Sequence, residues 1–131
     1  MKIEYWKGSH TVHRLMYHIV WIPKYRKRVL VGAIKNRLIE LLHECAAMNR
    51  WSIIELNIQP DHVHMIVQLK QTVSVSKAVN LFKGGSSFVI RKEFPALEEF
   101  LWGDSFWSDG YFAETVGQCN LETIREYVQN Q

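Results

Sequence analysis

Apolar residues alternate with polar ones in some segments and recur at helical spacing in others, and these two periods predict most of the elements. Residues 11–22 (TVHRLMYHIVWI) are rich in β-branched and aromatic residues and predict a first strand, which Pro23 ends. Residues 31–49 place apolar side chains three or four positions apart and predict an amphipathic helix. Residues 51–58 and 62–69 predict two strands joined by a tight turn, and therefore a β-hairpin.

The second half of the chain repeats the helix-then-strand order. Residues 74–93 resume helical spacing, with Ser74 as the predicted N-cap, and residues 95–101 predict a short helical turn. Aromatic residues within 105–116 predict a fourth strand, and residues 121–131 predict a final helix. The order β-α-β-β-α-β plus a C-terminal helix is that of an α+β, ferredoxin-like (RRM-like) fold. Such a fold has an antiparallel sheet and helices on one of its faces.

The composition predicts one folded domain over residues 1–131. A chain of 131 residues with 47% hydrophobic residues is long enough and apolar enough to bury a core. It has no apolar run of membrane-spanning length, and its charged first fifteen residues predict no signal peptide. Cys45 and Cys119 form no CxxC pair and indicate no disulfide framework, so we expect a cytoplasmic protein.

The net charge of +3 is distributed unevenly along the chain. Residues 1–50 carry ten Lys and Arg against three Asp and Glu, whereas residues 51–131 carry six against ten. A basic first third indicates a polyanionic partner, with nucleic acid as the first candidate. The alternative is that these charges form an ordinary solvated face.

The motif PDHVHMIV contains two histidines separated by one residue. In a strand His62 and His64 point to the same face, and two adjacent imidazoles can hold one metal ion. The ordinary alternative is a pair of strand histidines with satisfied hydrogen bonds. Zinc hydrolases would add an Asp-His pair shortly afterwards, and two-motif phosphoesterases would need a second His-x-Ser/Thr. Neither pattern is present in the sequence.

The C-terminal segment IREYVQNQ offers a nucleophile and another ligand. Tyr127 and Gln131 are four residues apart, so they share one face of a helix. Two imidazoles and the amide oxygen of Gln131 would leave open positions on Mg²⁺ or Mn²⁺, where a phosphate can bind. Tyr127 could then attack the phosphorus and form a phosphotyrosine ester, losing a phenolic proton whose usual pKa is about 10. The alternative for Tyr127 is an amphipathic residue on a helix surface.

These motifs carry a resemblance to a known family. PDHVHMIV resembles the HUH motif, His-hydrophobic-His, of single-strand DNA endonucleases. With YHIVWIPKYRKRVL, LFKGGSSFVIRKEFP, WSDGYFAETVG and TIREYVQNQ, the chain is similar to the single-tyrosine HUH transposases (TnpA) of the smallest bacterial and archaeal insertion sequences, the IS200-like transposase family. The similar segments follow the right order over nearly the whole chain.

The resemblance implies a role for each matching residue. His62 and His64 match the two metal ligands, Tyr127 the catalytic tyrosine and Gln131 the third ligand. The activity implied is that of a metal-dependent single-strand DNA endonuclease and strand transferase. It would form a 5′-phosphotyrosine intermediate at hairpin-marked insertion-sequence ends and so excise and insert single-stranded DNA. Relatives act as homodimers with a shared sheet, in which the tyrosine helix can complete the partner's active site. Gln131 is the last residue, so we expect either a shortened chain or a loosely held third ligand.

Other residues are candidates for supporting roles. Asp61 could orient a ligand imidazole or bind the metal's water, although an aspartate is also common in turns. Two glycines weaken the helix over residues 74–93 by about 1 kcal/mol each, which indicates close approach either of a DNA backbone or of another helix. His10, His13, His18 and His43 show no ligand spacing, and we expect them to be structural or exposed. The expected DNA contacts are Arg14, Lys24, Tyr25, Arg26, Lys27, Arg28, Lys83, Ser86 and Ser87.

Three other functions fit parts of the sequence. A domesticated relative would cut chromosomal repeat hairpins without mobilising its own element. A non-catalytic ferredoxin-like module would bind nucleic acid through exposed strand aromatics and would not need His62, His64 and Tyr127 together. A ferredoxin-like protein for small ligands would have no use for the basic segment after the first strand.

Overall fold

A computed structural model describes residues 14–117 of the chain, in which four strands form one antiparallel sheet. The sheet order is β2-β3-β1-β4, which confirms the predicted ferredoxin-like arrangement. None of the described helices is long and apolar enough to cross a membrane. The elements are β1 (Arg14–Trp21), α1 (Gly32–Asn49), β2 (Ser52–Gln59), β3 (His62–Lys70), α2 (Val75–Glu93), α3 (Glu98–Leu101) and β4 (Phe112–Val116).

Alternation along the two central strands separates a core face from a second face. On β1, Ile19 and Trp21 are buried against the helices, together with Val63 and Met65 of β3. The residues between them point to the opposite side of the sheet, because side chains alternate along a strand. This opposite side, which includes His18, Val20, His62, His64 and Ile66, is called the histidine face below.

The hydrophobic core lies between the sheet and the two long helices. The apolar stripe of α1 contributes Leu38 and Leu42, and that of α2 contributes Phe82 and Ile90, all at most 1% exposed. Trp21 lies nearly parallel to Phe82, with ring centroids 6.1 Å apart. Each fully buried side chain of this size stabilises the fold by roughly 1.5–3 kcal/mol. Packing on this face holds β1 and β3 in the register that positions the histidines.

The helix boundaries follow local rules. The hydroxyl of Ser74 accepts a hydrogen bond from the backbone N–H of Lys77 at 3.1 Å, so Ser74 is the N-cap of α2 as predicted. Arg50 ends α1 in a left-handed conformation with φ of 60°. Between β1 and α1, residues Lys24–Arg26 form a short 3-10 turn.

The predicted strand over residues 105–116 was wrong in its first half. Phe106 and Trp107 are both buried, but they lie in a loop and form no strand ladder with β1. They pack from a loop that meets the end of β1, where Trp107 forms an isolated bridge with Pro23 and its ring lies edge-on to Trp21, with centroids 5.9 Å apart. Gly110 turns with φ of 83°, and β4 begins at Phe112. The predicted final helix, Cys119 and residues 11–13 of the predicted first strand lie outside the described residues.

Candidate active site

His62 and His64 lie next to each other on the histidine face of β3. Their ring centroids are 4.6 Å apart, and the ring planes are nearly perpendicular. Val63, between them, is fully buried in the core on the other side of the sheet. The alternation of one strand therefore brings two imidazoles together and uses the intervening residue to anchor them.

Asp61 orients His62 from the turn that joins β2 to β3. Its Oδ1 atom lies 2.7 Å from Nδ1 of His62. An ionised carboxylate can only accept, so Nδ1 of His62 carries a proton, and in the neutral imidazole Nε2 keeps its lone pair. That Nε2 is buried and has no hydrogen-bond partner among the described residues. A buried, unpartnered imidazole nitrogen opposite an Asp–His contact is the arrangement expected of a metal ligand.

A second contact keeps Asp61 ionised. Nε of Arg26 donates to Oδ2 of Asp61 at 3.1 Å, while Oδ1 faces His62. Burial acts to raise the pKa of Asp61, but the hydrogen bonds from His62 and Arg26 outweigh it and hold that pKa below its ordinary value. The carboxylate is therefore charged at neutral pH and bridges the basic segment after β1 to the first histidine.

His64 is held in the neutral form. Burial, with smaller contributions from His62 and His18, lowers the pKa of His64 to about 4. A neutral imidazole offers one nitrogen lone pair, which a metal ion requires. In their neutral forms both histidines of the motif offer a nitrogen lone pair, and such donor atoms fit a divalent metal.

A third histidine adjoins His64 from the neighbouring strand. Nε2 of His18 lies 3.4 Å from Nδ1 of His64, and Nδ1 of His18 lies 3.4 Å from Oε1 of Glu114 on β4. His18 is only 5% exposed. No spacing signal marks His18 in the sequence, because its partners are 46 and 96 residues away. Only the pairing of β1 with β3 and β4 brings them together.

The remaining two predicted site residues, Tyr127 and Gln131, lie outside the described residues. Within residues 14–117, no group of three His, Cys, Asp or Glu side chains forms a complete metal-binding set. The described part of the chain therefore contributes the two candidate ligand histidines and the side chains that contact them.

A family model of IS200-like transposases matches residues 11–131. The chain belongs to the IS200-like transposase family. It is 33% identical to the ISDra2 transposase TnpA of Deinococcus radiodurans over 131 residues, which cover all of this chain and 94% of that protein. It is also 31% identical to the transposase for insertion sequence element IS200 of Salmonella typhimurium, over 94% of this chain and 80% of that protein.

One solved structure supports this membership, and a second shares the fold. A crystal structure of a Deinococcus radiodurans R1 protein described as a transposase superposes with a TM-score of 0.76 at 31% identity. That match covers 95% of this chain and 96% of the other. A REP-associated tyrosine transposase bound to a REP hairpin superposes with a TM-score of 0.62 at 12% identity, over 96% of this chain and 68% of the other. At that identity the second likeness shows a shared fold.

The basic segment of this transposase lies at the end of the sheet where β3 begins. Tyr25 donates a hydrogen bond to Oδ2 of Asp104 at 2.9 Å, and Nζ of Lys24 lies 3.7 Å from Oδ1 of the same carboxylate. Tyr25 is nevertheless 60% exposed. Nζ of Lys27 lies 5.5 Å from the ring centroid of Phe100, and Arg28 is exposed. These exposed side chains remain candidates for DNA contacts.

The predicted DNA contacts on α2 lie on the opposite side of the sheet from His62, because α2 packs on the core face. Nζ of Lys83 donates to the carbonyls of Ser108 and Gly110, at 2.7 and 3.0 Å. Burial lowers the pKa of Lys83. The structure thus gives Lys83 an internal role, holding the loop before β4 against α2.

Ser86 is only 3% exposed, and the structure contradicts its expected contact with DNA. Its hydroxyl donates to the carbonyl of Phe82 at 2.7 Å and accepts from Nε1 of Trp107 at 3.1 Å. The neighbouring Ser87 is half-buried, with its hydroxyl 3.2 Å from the carbonyl of Gly84. Two adjacent serines therefore differ, since Ser86 is fixed inside the fold and Ser87 reaches the surface.

Close packing of another described element does not explain the two glycines of α2. A Cβ atom built on Gly84 or Gly85 would meet no atom within 4 Å. Gly84 also lines a surface groove of about 320 Å³ with Ser87 and residues 105–109. The last predicted contact, Arg14, lies at the start of β1 and donates to the carbonyl of Arg50 at 3.2 Å.

Proposed function

We propose that this transposase nicks and joins single-stranded DNA, using a divalent metal at His62 and His64 and Tyr127 as the nucleophile. The observation that carries the proposal is Nε2 of His62. It is buried and unpartnered among the described residues, and the Asp61 contact on the other ring nitrogen leaves it as a lone-pair donor. Mg²⁺ or Mn²⁺ is the proposed ion, because such ions bind oxygen ligands and keep open positions at which a substrate phosphate can bind.

Each residue has a distinct task in the proposed reaction. His62 and His64 would hold the metal, with the amide oxygen of Gln131 as a third ligand, and the bound ion would supply Lewis-acid stabilisation of the scissile phosphate. The Tyr127 oxygen forms a bond to phosphorus as its proton leaves to solvent, and the bond from phosphorus to the 3′ oxygen breaks. The 3′ oxygen takes up a proton and becomes a free 3′-OH. Joining is the reverse step, in which a 3′-OH displaces the tyrosine.

The proposed substrate is single-stranded DNA with hairpins at the ends of an insertion sequence. The solved relative bound to a REP hairpin shares this fold. The basic segment supports such a partner, because Lys27 and Arg28 are exposed at the end of the sheet where His62 lies and Tyr25 offers an exposed ring for stacking. We further propose a homodimer that shares its sheet, in which the tyrosine helix completes the partner's site.

The test uses single-stranded oligonucleotides that carry the hairpins flanking the gene. They are incubated with protein and Mg²⁺ or Mn²⁺, with and without EDTA, and resolved on a denaturing gel. The proposal predicts a covalent protein–DNA band that needs metal and disappears in Tyr127→Phe and His64→Ala. Tyr111→Phe, which removes another phenolic hydroxyl, should retain the band.

The outcomes separate the proposal from its competitors. Hairpin binding without any adduct would indicate the non-catalytic module and refute the proposed chemistry. An adduct that forms on chromosomal repeat hairpins, but not on insertion-sequence ends, would identify a domesticated relative.

A further inference from the structure

A chain of three polar side chains crosses the sheet from β4 to β3. Glu114, His18 and His64 lie on adjacent strands, and the register pairs His18 with Glu114 across β1 and β4. Each of the two contacts spans 3.4 Å between a ring nitrogen and its neighbour. This row of side chains ends at His64, one of the two histidines proposed as metal ligands.

His18 and His64 approach each other through one ring nitrogen each, and their rings do not overlap face to face. The ring planes are 12° apart, and the ring centroids are 5.6 Å apart. The two nitrogens are 3.4 Å apart. The centroid distance is longer than this by almost twice the distance from the centre of an imidazole ring to one of its atoms. The two nitrogens therefore lie close to the line of centroids, so the rings meet edge to edge. This is the geometry of a hydrogen bond between imidazoles.

The carboxylate fixes the direction of the hydrogen bonds. An ionised Glu114 can only accept, so Nδ1 of His18 must carry a proton to make this contact. A neutral His18 then has a lone pair on Nε2, which can only accept. The proton in the second contact must therefore belong to Nδ1 of His64, and Nε2 of His64 keeps its lone pair.

We propose that His18 is a positioning residue that fixes the tautomer of His64, so that His64 presents Nε2 as its ligand atom. Asp61 does the same for His62 through a direct carboxylate contact at 2.7 Å. The two ligands would thus be oriented by separate acceptors on opposite sides, one carboxylate acting directly and the other through His18. The inference rests on the proposed function for the metal, but the tautomer of His64 can be measured without metal or DNA.

Residues that orient metal ligands commonly change metal affinity or activity by about 10–100-fold when they are replaced. His18→Phe keeps an aromatic ring on the buried sheet but removes the acceptor. His18→Gln restores an acceptor oxygen on a side chain of similar reach. Phe112→Leu is the matched packing control, because Phe112 contacts the edge of His18, with centroids 6.1 Å apart, and has no polar group.

The first measurement is a long-range ¹⁵N–¹H correlation spectrum of the metal-free protein with ¹⁵N-labelled histidine. Protonated and unprotonated ring nitrogens have distinct ¹⁵N shifts, so the spectrum reports the tautomer of each histidine. We expect His64 to carry its proton on Nδ1 in the wild type, in Phe112→Leu and in His18→Gln. His18→Phe should lose this preference.

The second measurement is the affinity of the same variants for Mn²⁺, determined by calorimetric titration. We expect His18→Phe to bind about 10–100-fold more weakly, with His18→Gln and Phe112→Leu close to the wild type. Thermal unfolding of each variant shows whether the fold survives. If His18→Phe does not fold, the wild-type spectrum and the His18→Gln variant still decide the matter.

Three results would overturn the inference. One is a wild-type His64 that carries its proton on Nε2, another is a doubly protonated His18, and a third is an unchanged His64 tautomer and Mn²⁺ affinity in a folded His18→Phe. Failure of the proposed function looks different. The wild type would then bind no Mn²⁺ and form no DNA adduct, whatever the tautomer of His64.

Discussion

The two glycines inside α2 allow fold and function to be separated by single substitutions. Neither Gly84 nor Gly85 is near enough to a described atom for an added Cβ to collide. Both lie inside a helix of 19 residues, where glycine is about 0.8–1.0 kcal/mol less favourable than alanine. We therefore expect Gly84→Ala and Gly85→Ala each to raise the free energy of unfolding by nearly 1 kcal/mol.

That stabilisation corresponds to a rise of about 4 °C in Tm for a domain of this length. The assay is thermal and urea unfolding of both single variants and the double variant, which should gain about 2 kcal/mol. Ala47→Gly provides the reverse change at an exposed position of α1, and it should lose stability. A fall in Tm for either glycine variant would refute the reasoning, because it would mean that the added methyl group collides with the fold.

The same variants test why the sequence keeps glycine at positions 84 and 85, although alanine should be more stable there. If a DNA backbone approaches α2 at these glycines, the added methyl group should weaken binding of a hairpin oligonucleotide. Loss of a single contact of about 1.4 kcal/mol would weaken the Kd about tenfold, which fluorescence anisotropy resolves easily. A more stable variant with unchanged hairpin affinity would rule out close DNA approach at that glycine.

Three further predictions follow from individual contacts. Ser86→Ala should lower the free energy of unfolding in urea by about 1–3 kcal/mol, because it leaves the buried Trp107 indole N–H without its acceptor. Ser87→Ala should stay within about 0.5 kcal/mol of the wild type, and equal effects of the two changes would contradict this. Asp61→Asn should weaken Mn²⁺ binding about 10–100-fold in calorimetry, and Arg26→Gln less, since Arg26 contacts the other carboxylate oxygen; the opposite ranking would show that Arg26 matters in its own right. In EDTA the free energy of unfolding should fall as pH drops from 6.5 toward about 4, because the pKa of His64 is lowered in the folded state and the unfolded chain binds the proton first; His64→Gln should flatten this slope, and an identical slope would refute the assignment.

Most of the fold could be predicted because each element carries its own local signal. Alternation in β3 and three-to-four spacing in α2 are properties of one segment, and their observed bounds lie within a residue or so of the predicted ones. The segment before β4 failed for the opposite reason. Phe106 and Trp107 have strand-like composition, but their burial comes from tertiary packing beneath α2, and Trp107 is held there by Ser86.

The candidate site divides in the same way. His62 and His64 are two residues apart in one strand, so their shared face could be predicted from spacing alone. His18 could not be linked to them, because its contact with His64 depends on the register between β1 and β3. The burial of Ser86 could not be predicted for a related reason, since it depends on the packing of the predicted helix against the loop that carries Trp107.

The alternation of β3 has a consequence for how this chain tolerates insertions and deletions. Its odd-numbered residues from Val63 onward build the core, and His62 and His64 occupy the even positions. Shifting the strand by one residue would exchange the two sets, placing imidazoles in the apolar layer and valine on the histidine face. A slipped strand would therefore lose its stability and its chemistry in the same event. We therefore expect insertion or deletion of one residue within β3 to act as a folding defect.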